Sequence, residues 1–197
     1  MIDWLIQIDT SLFYFFNVTI ANGLFDFIFP IITNRENHLI ALGVVAIVYV
    51  GARRKEAMVG ISLAVVTVAF SDQLCCTILK PLVGRLRPCH PEHFLEGGRY
   101  LVGMKHSLSF PSAHSMNWFA QATLFTFLYP KQWPWFFAVA TPIAFSRVYV
   151  GVHYPIDVTV GAVLGAGVGA AVYGGYRLVR RKVTITNFPR KNMAHNR

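Results

Sequence analysis

The segment AMVGISLAVVTVAFSDQLCCTIL, residues 57–79, contains a single charged residue, Asp72, and is closed by Lys80. A helix needs about 20 mostly apolar residues to cross the hydrocarbon core of a bilayer. This segment is therefore long enough to span a membrane on its own. Four other apolar runs without Lys, Arg, Asp or Glu lie at 39–52, 112–130, 132–146 and 158–176.

The composition agrees with a membrane protein. Hydrophobic residues make up 54% of the chain and charged residues 14%, and the mean hydropathy is +0.46. In soluble domains, about 45–50% of residues are apolar and about 25% are charged. We predict an all-α integral membrane helix bundle with five transmembrane helices, in which runs 39–52 and 132–146 take a few flanking residues. The net charge of +9 does not indicate a nucleic-acid partner here, because the apolar runs place the chain in a membrane. Three cysteines, two of them adjacent, predict no disulfide scaffold.

The N-terminal 34 residues are predicted to form one or two helices in the outer interface of the membrane. The uncharged stretch between Asp9 and Asp26 is too short to cross a bilayer comfortably. Apolar residues before and within it, such as Leu5 and Leu12, fall at helical spacing, which is typical of an interfacial helix. Asn22-Gly23 predicts a break between two helices, and a sixth span is the alternative.

The positions of Lys and Arg predict the orientation, because cytoplasmic loops and tails collect these residues. Seven of the 18 lie between Arg177 and Arg197, so we expect the C-terminus in the cytoplasm. The chain then divides into N-terminal interfacial helices (1–34), a membrane domain (35–179) and a basic cytoplasmic tail (180–197).

Three polar clusters lie at the outward ends of the predicted spans. A single basic residue or histidine at such a position is usually interfacial or snorkelling. The predicted topology is assigned from other residues, yet it brings all three clusters to the same membrane face. This agreement indicates a functional site. The clusters are Lys80-Pro-Leu-Val-Gly-Arg-Leu-Arg87-Pro88, then Pro111-Ser112-Ala113-His114, and then Ser146-Arg147 with His153 and Asp157.

The basic residues of these clusters predict a phosphate site. Lys80 supplies a point charge, and Arg87 and Arg147 supply planar forks that match a tetrahedral oxyanion. Ser112 and Ala113 follow a proline at a predicted helix start, where backbone N–H groups and the helix dipole attract anions.

The two histidines and the aspartate predict catalysis. His153 and Asp157 are four residues apart, so one helical face holds an imidazole with a carboxylate in reach. We expect His153 to be the nucleophile on phosphorus and Asp157 to orient it. We expect His114, on another helix, to protonate the leaving oxygen.

These motifs resemble those of the type-2 phosphatidic acid phosphatase superfamily. The matching patterns are Lys-x6-Arg-Pro, Pro-Ser-x-His and Ser-Arg-x5-His-x3-Asp, and the resemblance covers roughly residues 57–175. It implies a phosphohistidine intermediate, no metal and no other cofactor. It assigns phosphate binding to Lys80, Arg87 and Arg147 with help from Ser112. The family usually has Gly where this chain has Ala113, from which we expect a modest effect only.

The predicted orientation places the site at the outer (periplasmic) face of a bacterial inner membrane. Its position at the ends of the spans, at the depth of the lipid headgroups, favours a lipid phosphate as substrate. Similarity to small members of the superfamily favours undecaprenyl diphosphate, with Arg85, Arg99 and Lys105 as candidates for its second phosphate. Phosphatidylglycerol phosphate, phosphatidic acid and lipid A phosphate are alternatives, as is phosphoryl transfer to another lipid. A phosphate or anion transporter is the alternative of another class, but a conduit needs no nucleophile opposed by an acid.

Other signals predict packing more than chemistry. Asp72 lies mid-span and is expected either in a helix-packing hydrogen bond or on a proton path. The loop Cys89-His90-Pro-Glu-His93 has metal-ligand residue types but no second ligand pair, so we predict no zinc site. The glycines at 161, 165, 167 and 169 predict close packing of one helix on another.

Overall fold

The computed structural model describes residues 2–34, 36 and 54–186, and these form helices joined by turns and loops. No strand occurs within these ranges, which confirms the all-α prediction. The predicted run 39–52 and the last part of the tail lie outside the described residues. The helices are α1 (Ile2–Tyr14, continuing as a π-helix over Phe15–Thr19), α2 (Gly23–Thr33), α3 (Arg54–Gln73, continuing through Leu74–Leu79 and Lys80–Val83), α4 (Ala113–Leu128), α5 (Trp133–Tyr149) and α6 (Pro155–Thr186), with 3-10 turns at Pro91–His93 and Pro130–Gln132.

Two of these helices are long and apolar enough to cross a membrane. They are Ala57–Val83, with 27 residues, and Pro155–Lys182, with 28. Helices α4 and α5 have 16 and 17 residues, which corresponds to about 24–26 Å and is short of a hydrocarbon core of about 30 Å. A membrane helix bundle is therefore confirmed, whereas the number of five spans stays a prediction.

The N-terminal segment folds into two helices that meet at an angle of 114°. The break falls at the predicted Asn22-Gly23, where the Asn22 side chain accepts a hydrogen bond from the N–H of Phe25 and caps α2. Helix α2 continues through Pro30 to Thr33. The pair packs against α5 and against the start of α6, so it lies beside the end of the bundle that carries the polar clusters.

Helix α4 lies at the centre of the bundle, and its closest contact is with α6. A Cβ atom added at Gly161, Gly165 or Gly169 would come within 2.7, 2.1 and 2.3 Å of backbone carbonyl oxygens of α4 or its cap. Only glycine permits this approach, as in other closely packed membrane helices. The predicted glycine packing is confirmed at these three positions. Gly167 lies on another face, where an added Cβ would meet nothing within 4 Å.

This difference gives a matched test within one helix. In Gly165→Ala the new methyl group would meet the Met116 carbonyl oxygen, which cannot move without shifting α4. We expect a loss of about 1–3 kcal/mol, typical of overpacking, and a melting temperature lowered by about 5 °C in detergent. Gly167→Ala should melt at or above the wild-type temperature. Equal melting of the two variants would contradict the close contact between α4 and α6.

Candidate active site

The three polar clusters come together at the end of the bundle where α4 and α6 begin. The Ser112 N–H donates to the backbone oxygen of Asp157 at 2.9 Å, which joins the start of α4 to the start of α6. The Arg87 guanidinium donates to the Val152 carbonyl at 2.9 Å, which joins the segment after α3 to the loop before α6. Residues that are up to 77 positions apart in the sequence therefore share one site.

His153 lies at the centre of this site and is 1% exposed. Its Nε2 atom is 2.8 Å from Arg87 Nη1, and its Nδ1 atom is 3.4 Å from Asp157 Oδ2. Because a guanidinium only donates hydrogen bonds, Nε2 must carry the lone pair and Nδ1 the proton. The imidazole therefore presents a lone pair on the side of the basic residues.

The surroundings of His153 keep it neutral. Burial lowers the pKa of its imidazole well below the usual range, and the charges of Arg87, Arg147, Lys80 and His114 lower this pKa further. At neutral pH the ring is therefore unprotonated at Nε2, which is the form that can act as a nucleophile.

Asp157 is fully buried and holds the other side of the ring in place. Its Oδ2 atom accepts hydrogen bonds from the Ser109 hydroxyl and from the Tyr154 N–H, the latter at 2.9 Å. The Ser109 hydroxyl is also 3.3 Å from His153 Nδ1. Ser109 lies outside the three sequence motifs. Its position two residues before Pro111 was the available signal, but a serine at that position has no distinguishing chemistry.

Three basic residues of the site are buried without a carboxylate partner among the described residues. Lys80 Nζ donates to the carbonyls of Leu108 and Ser109, at 2.6 and 3.1 Å, and Arg87 Nε donates to the carbonyl of Ser107 at 2.8 Å. Carbonyl oxygens orient these cations but leave their charge uncompensated. A buried uncompensated charge is costly unless an anion approaches it, so these residues favour binding of an oxyanion.

Arg147 is held from the N-terminal segment. Its Nη1 atom donates to the hydroxyl of Thr33 at 2.6 Å and to the Thr33 carbonyl at 3.3 Å. Its Nε atom is buried and has no hydrogen-bond partner within the described part of the chain. A buried donor in this position fits an acceptor such as a phosphate oxygen.

Ser112 makes two contacts at the start of α4. Its N–H donates to the Asp157 backbone oxygen, and its hydroxyl accepts from the Ser115 N–H and caps α4. The N–H is therefore engaged, whereas the hydroxyl keeps a proton that it can donate to an anion. The first N–H groups of a helix have no acceptor within it, and Ala113 and His114 belong to this first turn. Because Ala113 is helical, its φ is negative, and a methyl group in place of the family glycine is accommodated without strain.

Two of the three residues expected to receive a second phosphate are paired with carboxylates, which argues against that role for them. Arg85 contacts Asp9 and Asp157, at 2.7 and 2.9 Å, and Arg99 contacts Asp26. Compensated guanidiniums offer little attraction to a further anion. Lys105 lies exposed in the loop before α4.

Asp72 and the loop around His90, which were not predicted to take part in the chemistry, make hydrogen bonds to nearby residues. Asp72 accepts a hydrogen bond from Asn117 of α4 at 3.3 Å. This contact agrees with the first of its two interpretations, a hydrogen bond between packed helices. His90 Nδ1 accepts from the Glu92 N–H, and its Nε2 faces the His106 carbonyl at 3.1 Å. Among the described residues, no group of three or more His, Cys, Asp or Glu side chains is placed to hold a metal ion.

Comparison with known proteins supports the resemblance found in the sequence. The family model of the PAP2 superfamily matches residues 60–181. The chain belongs to the PAP2 superfamily. It is 32% identical to a lipid A 4′-phosphatase of Bacteroides thetaiotaomicron over 97% of this chain and 87% of the relative. It is also 40% identical to a decaprenylphosphoryl-5-phosphoribose phosphatase of Mycobacterium tuberculosis, over 58% of this chain and 62% of the relative.

Two solved structures have the same fold. The crystal structure of Aquifex aeolicus LpxE aligns with a TM-score of 0.68 at 25% identity, over 84% of this chain and 94% of that one. A phosphatidylglycerolphosphate phosphatase of Bacillus subtilis aligns with the same TM-score at 20% identity. This PAP2 protein is a multi-pass membrane phosphatase that hydrolyses lipid phosphates.

Proposed function

We propose that this PAP2 protein hydrolyses a phosphate monoester on the sugar headgroup of a lipid A-type lipid through a phosphohistidine at His153. The observation that carries the mechanism is the tautomer of His153, whose Nδ1 faces Asp157 while its Nε2 lone pair faces the basic residues. This arrangement places the nucleophilic atom on the side of the bound phosphate and the support for its charge on the opposite side.

The reaction proceeds in two displacements. His153 Nε2 bonds to phosphorus while the bond to the lipid oxygen breaks, and His114 gives its proton to that oxygen. A water molecule then attacks phosphorus, the Nε2–phosphorus bond breaks, and His114 takes the proton from the water. Lys80, Arg87 and Arg147 stabilise the charge on the three equatorial oxygens throughout.

Two observations support a lipid phosphomonoester over a diphosphate as substrate. Arg85 and Arg99 are committed to carboxylates, so they do not supply a site for a second phosphate. The similarity to named lipid A 4′-phosphatases extends over nearly the whole chain, at 32% identity over 97% and, for Porphyromonas gingivalis, at 25% identity over 91%. By contrast, the similarity to the bacitracin transport permease protein BcrC of Bacillus licheniformis covers only 29% of the chain, so it carries less weight than the similarity to the lipid A 4′-phosphatases.

Phosphate release from a panel of pure lipids in detergent tests the substrate. The panel contains 4′-phosphorylated and 1-phosphorylated lipid A, undecaprenyl diphosphate, phosphatidylglycerol phosphate and phosphatidic acid. We expect the highest kcat/KM for 4′-phosphorylated lipid A, by about tenfold or more, which corresponds to about 1.4 kcal/mol of transition-state binding. Preference for undecaprenyl diphosphate would contradict this proposal, and appearance of the phosphate on a second lipid would indicate a phosphotransferase.

The same assay on variants separates the roles of the histidines. His153→Ala should lose activity on every substrate, whereas His114→Ala should lose about 10²–10⁴-fold on lipids and much less on nitrophenyl phosphate, whose leaving group needs no proton. Wild-type rates should be unchanged by EDTA, since no metal takes part in the proposed steps. Equal losses of His114→Ala on both kinds of substrate would refute its role as an acid.

We also propose that the site faces the outside of a bacterial inner membrane. Helix α6 runs from the site at Pro155 to the exposed basic residues Arg180 and Arg181, and 28 residues of helix cover about 42 Å, so its two ends lie at opposite membrane faces. Because basic residues collect on the cytoplasmic side, the site end is placed outside.

Cysteine labelling of spheroplasts tests this orientation. In a Cys76→Ser background, which removes the exposed native thiol, Met104→Cys near the site should react with an impermeant maleimide. Arg181→Cys should react only after the membrane is permeabilised. The reverse pattern would place the site in the cytoplasm.

A further inference from the structure

The guanidinium of Arg85 bridges two buried carboxylates. Its Nη1 atom donates to Asp157 Oδ1 at 2.9 Å, and its Nη2 atom donates to Asp9 Oδ2 at 2.7 Å. The Cζ atom of Arg85 lies 3.9 Å from the centroid of the Tyr154 ring, so an aromatic face covers the bridge. Both carboxylates are 1% exposed or less, so water screens these contacts weakly.

Asp9 reaches the site from helix α1 and makes a second contact there. Its Oδ1 atom accepts a hydrogen bond from the N–H of Ile156 at 2.8 Å. Ile156 is in the first turn of α6, one residue before Asp157, and a carboxylate at this position also interacts favourably with the helix dipole. Asp9 therefore fixes both the backbone next to Asp157 and the cation that contacts its side chain.

The charges of this bridge determine how strongly Asp157 can stabilise a positive charge on the His153 ring. One guanidinium between two carboxylates leaves a net charge of −1, whereas a guanidinium facing Asp157 alone would compensate it fully. When His153 attacks phosphorus, its ring becomes positively charged with a proton on Nδ1, and the Asp157 carboxylate stabilises that charge. Asp9 draws part of the Arg85 charge away from Asp157 and so preserves this stabilisation.

We propose that Asp9 is a positioning residue of the reaction, which acts through Arg85 and the Ile156 N–H to hold the Asp157 carboxylate oriented beside His153. This inference rests on the proposed role of His153 as the nucleophile. It gives the N-terminal helix α1 a part in catalysis, although α1 lies outside the residues matched by the family model.

Asp9→Asn is the direct test, and Asp26→Asn is its matched control. Both substitutions remove an ion pair between an N-terminal helix and an arginine, but the pair of Asp26 with Arg99 does not contact Asp157 or His153. Asp9→Asn keeps the size and an oxygen for the Ile156 N–H. We expect its kcat to fall by about tenfold or more with little change in KM, since a small misplacement of a reacting group is costly, whereas Asp26→Asn should keep a kcat close to that of the wild type. Melting temperatures of both variants report any loss of stability.

The pH dependence of kcat/KM on a single substrate separates an electrostatic role from a structural one. The rate requires neutral His153, so the acid limb follows the pKa of this group. Asp9→Asn removes a negative charge near His153, which should lower this pKa and move the acid limb to lower pH. Arg85→Gln removes a positive charge and should move the acid limb to higher pH. The other charged and titratable groups around His153 are not substituted in these variants, namely Lys80, Arg87, His114, Arg147 and Asp157.

A double variant completes the test. If Asp9 acts through Arg85, Asp9→Asn should reduce kcat much less in an Arg85→Gln background than in the wild type. Full additivity, an unmoved acid limb, or a loss of kcat that Asp26→Asn shares would overturn the inference. Activity retained in His153→Ala would instead refute the proposed function, so the two failures are distinguishable.

Discussion

The close approach of α4 and α6 sets the geometry on which the site depends. Three glycines of α6 pack directly on backbone carbonyls of α4 and its cap, and this contact leads to the point where both helices begin. There the Ser112 N–H binds the backbone of Asp157, so the loop with His153 is held against the first turn of α4. In the proposed reaction, His153 from this loop and His114 from α4 can act together only if the two helix starts are fixed in this way.

Around this contact, the basic residues fall into two classes with different consequences. Lys80 and Arg87 are oriented by carbonyl oxygens and keep their charge for a ligand, whereas Arg85 and Arg99 are compensated by carboxylates. In the proposed reaction, the cost of burying the first class is offset when a phosphate binds. The second class joins the N-terminal helices to the rest of the bundle and contributes to stability and positioning. The N-terminal helices also hold Arg147 through Thr33.

Much of the fold and the motif residues could be predicted from the sequence, because helix length, apolar runs and glycine spacing are local properties. The sequence did not indicate that Arg85, two residues before Arg87 in the same motif, pairs with carboxylates while Arg87 does not. Their separation arises after Gly84, whose φ of 66° ends the helix and turns the chain. Nor did it indicate the contact of Asp9 with Ile156, since pairings across 147 positions leave no local pattern. Asp9 looked like the polar end of an interfacial helix until its partners were known.

The central claim is that the phosphoryl group is transferred first to His153 and then to water. The stereochemical course at phosphorus tests it most directly. A phosphorothioate analogue of the substrate, made chiral at phosphorus with oxygen isotopes, is hydrolysed in isotopically labelled water, and the configuration of the released thiophosphate is determined. Each in-line displacement inverts phosphorus, so two displacements predict overall retention. Overall inversion would mean that water attacks the lipid phosphate directly, and it would contradict this account.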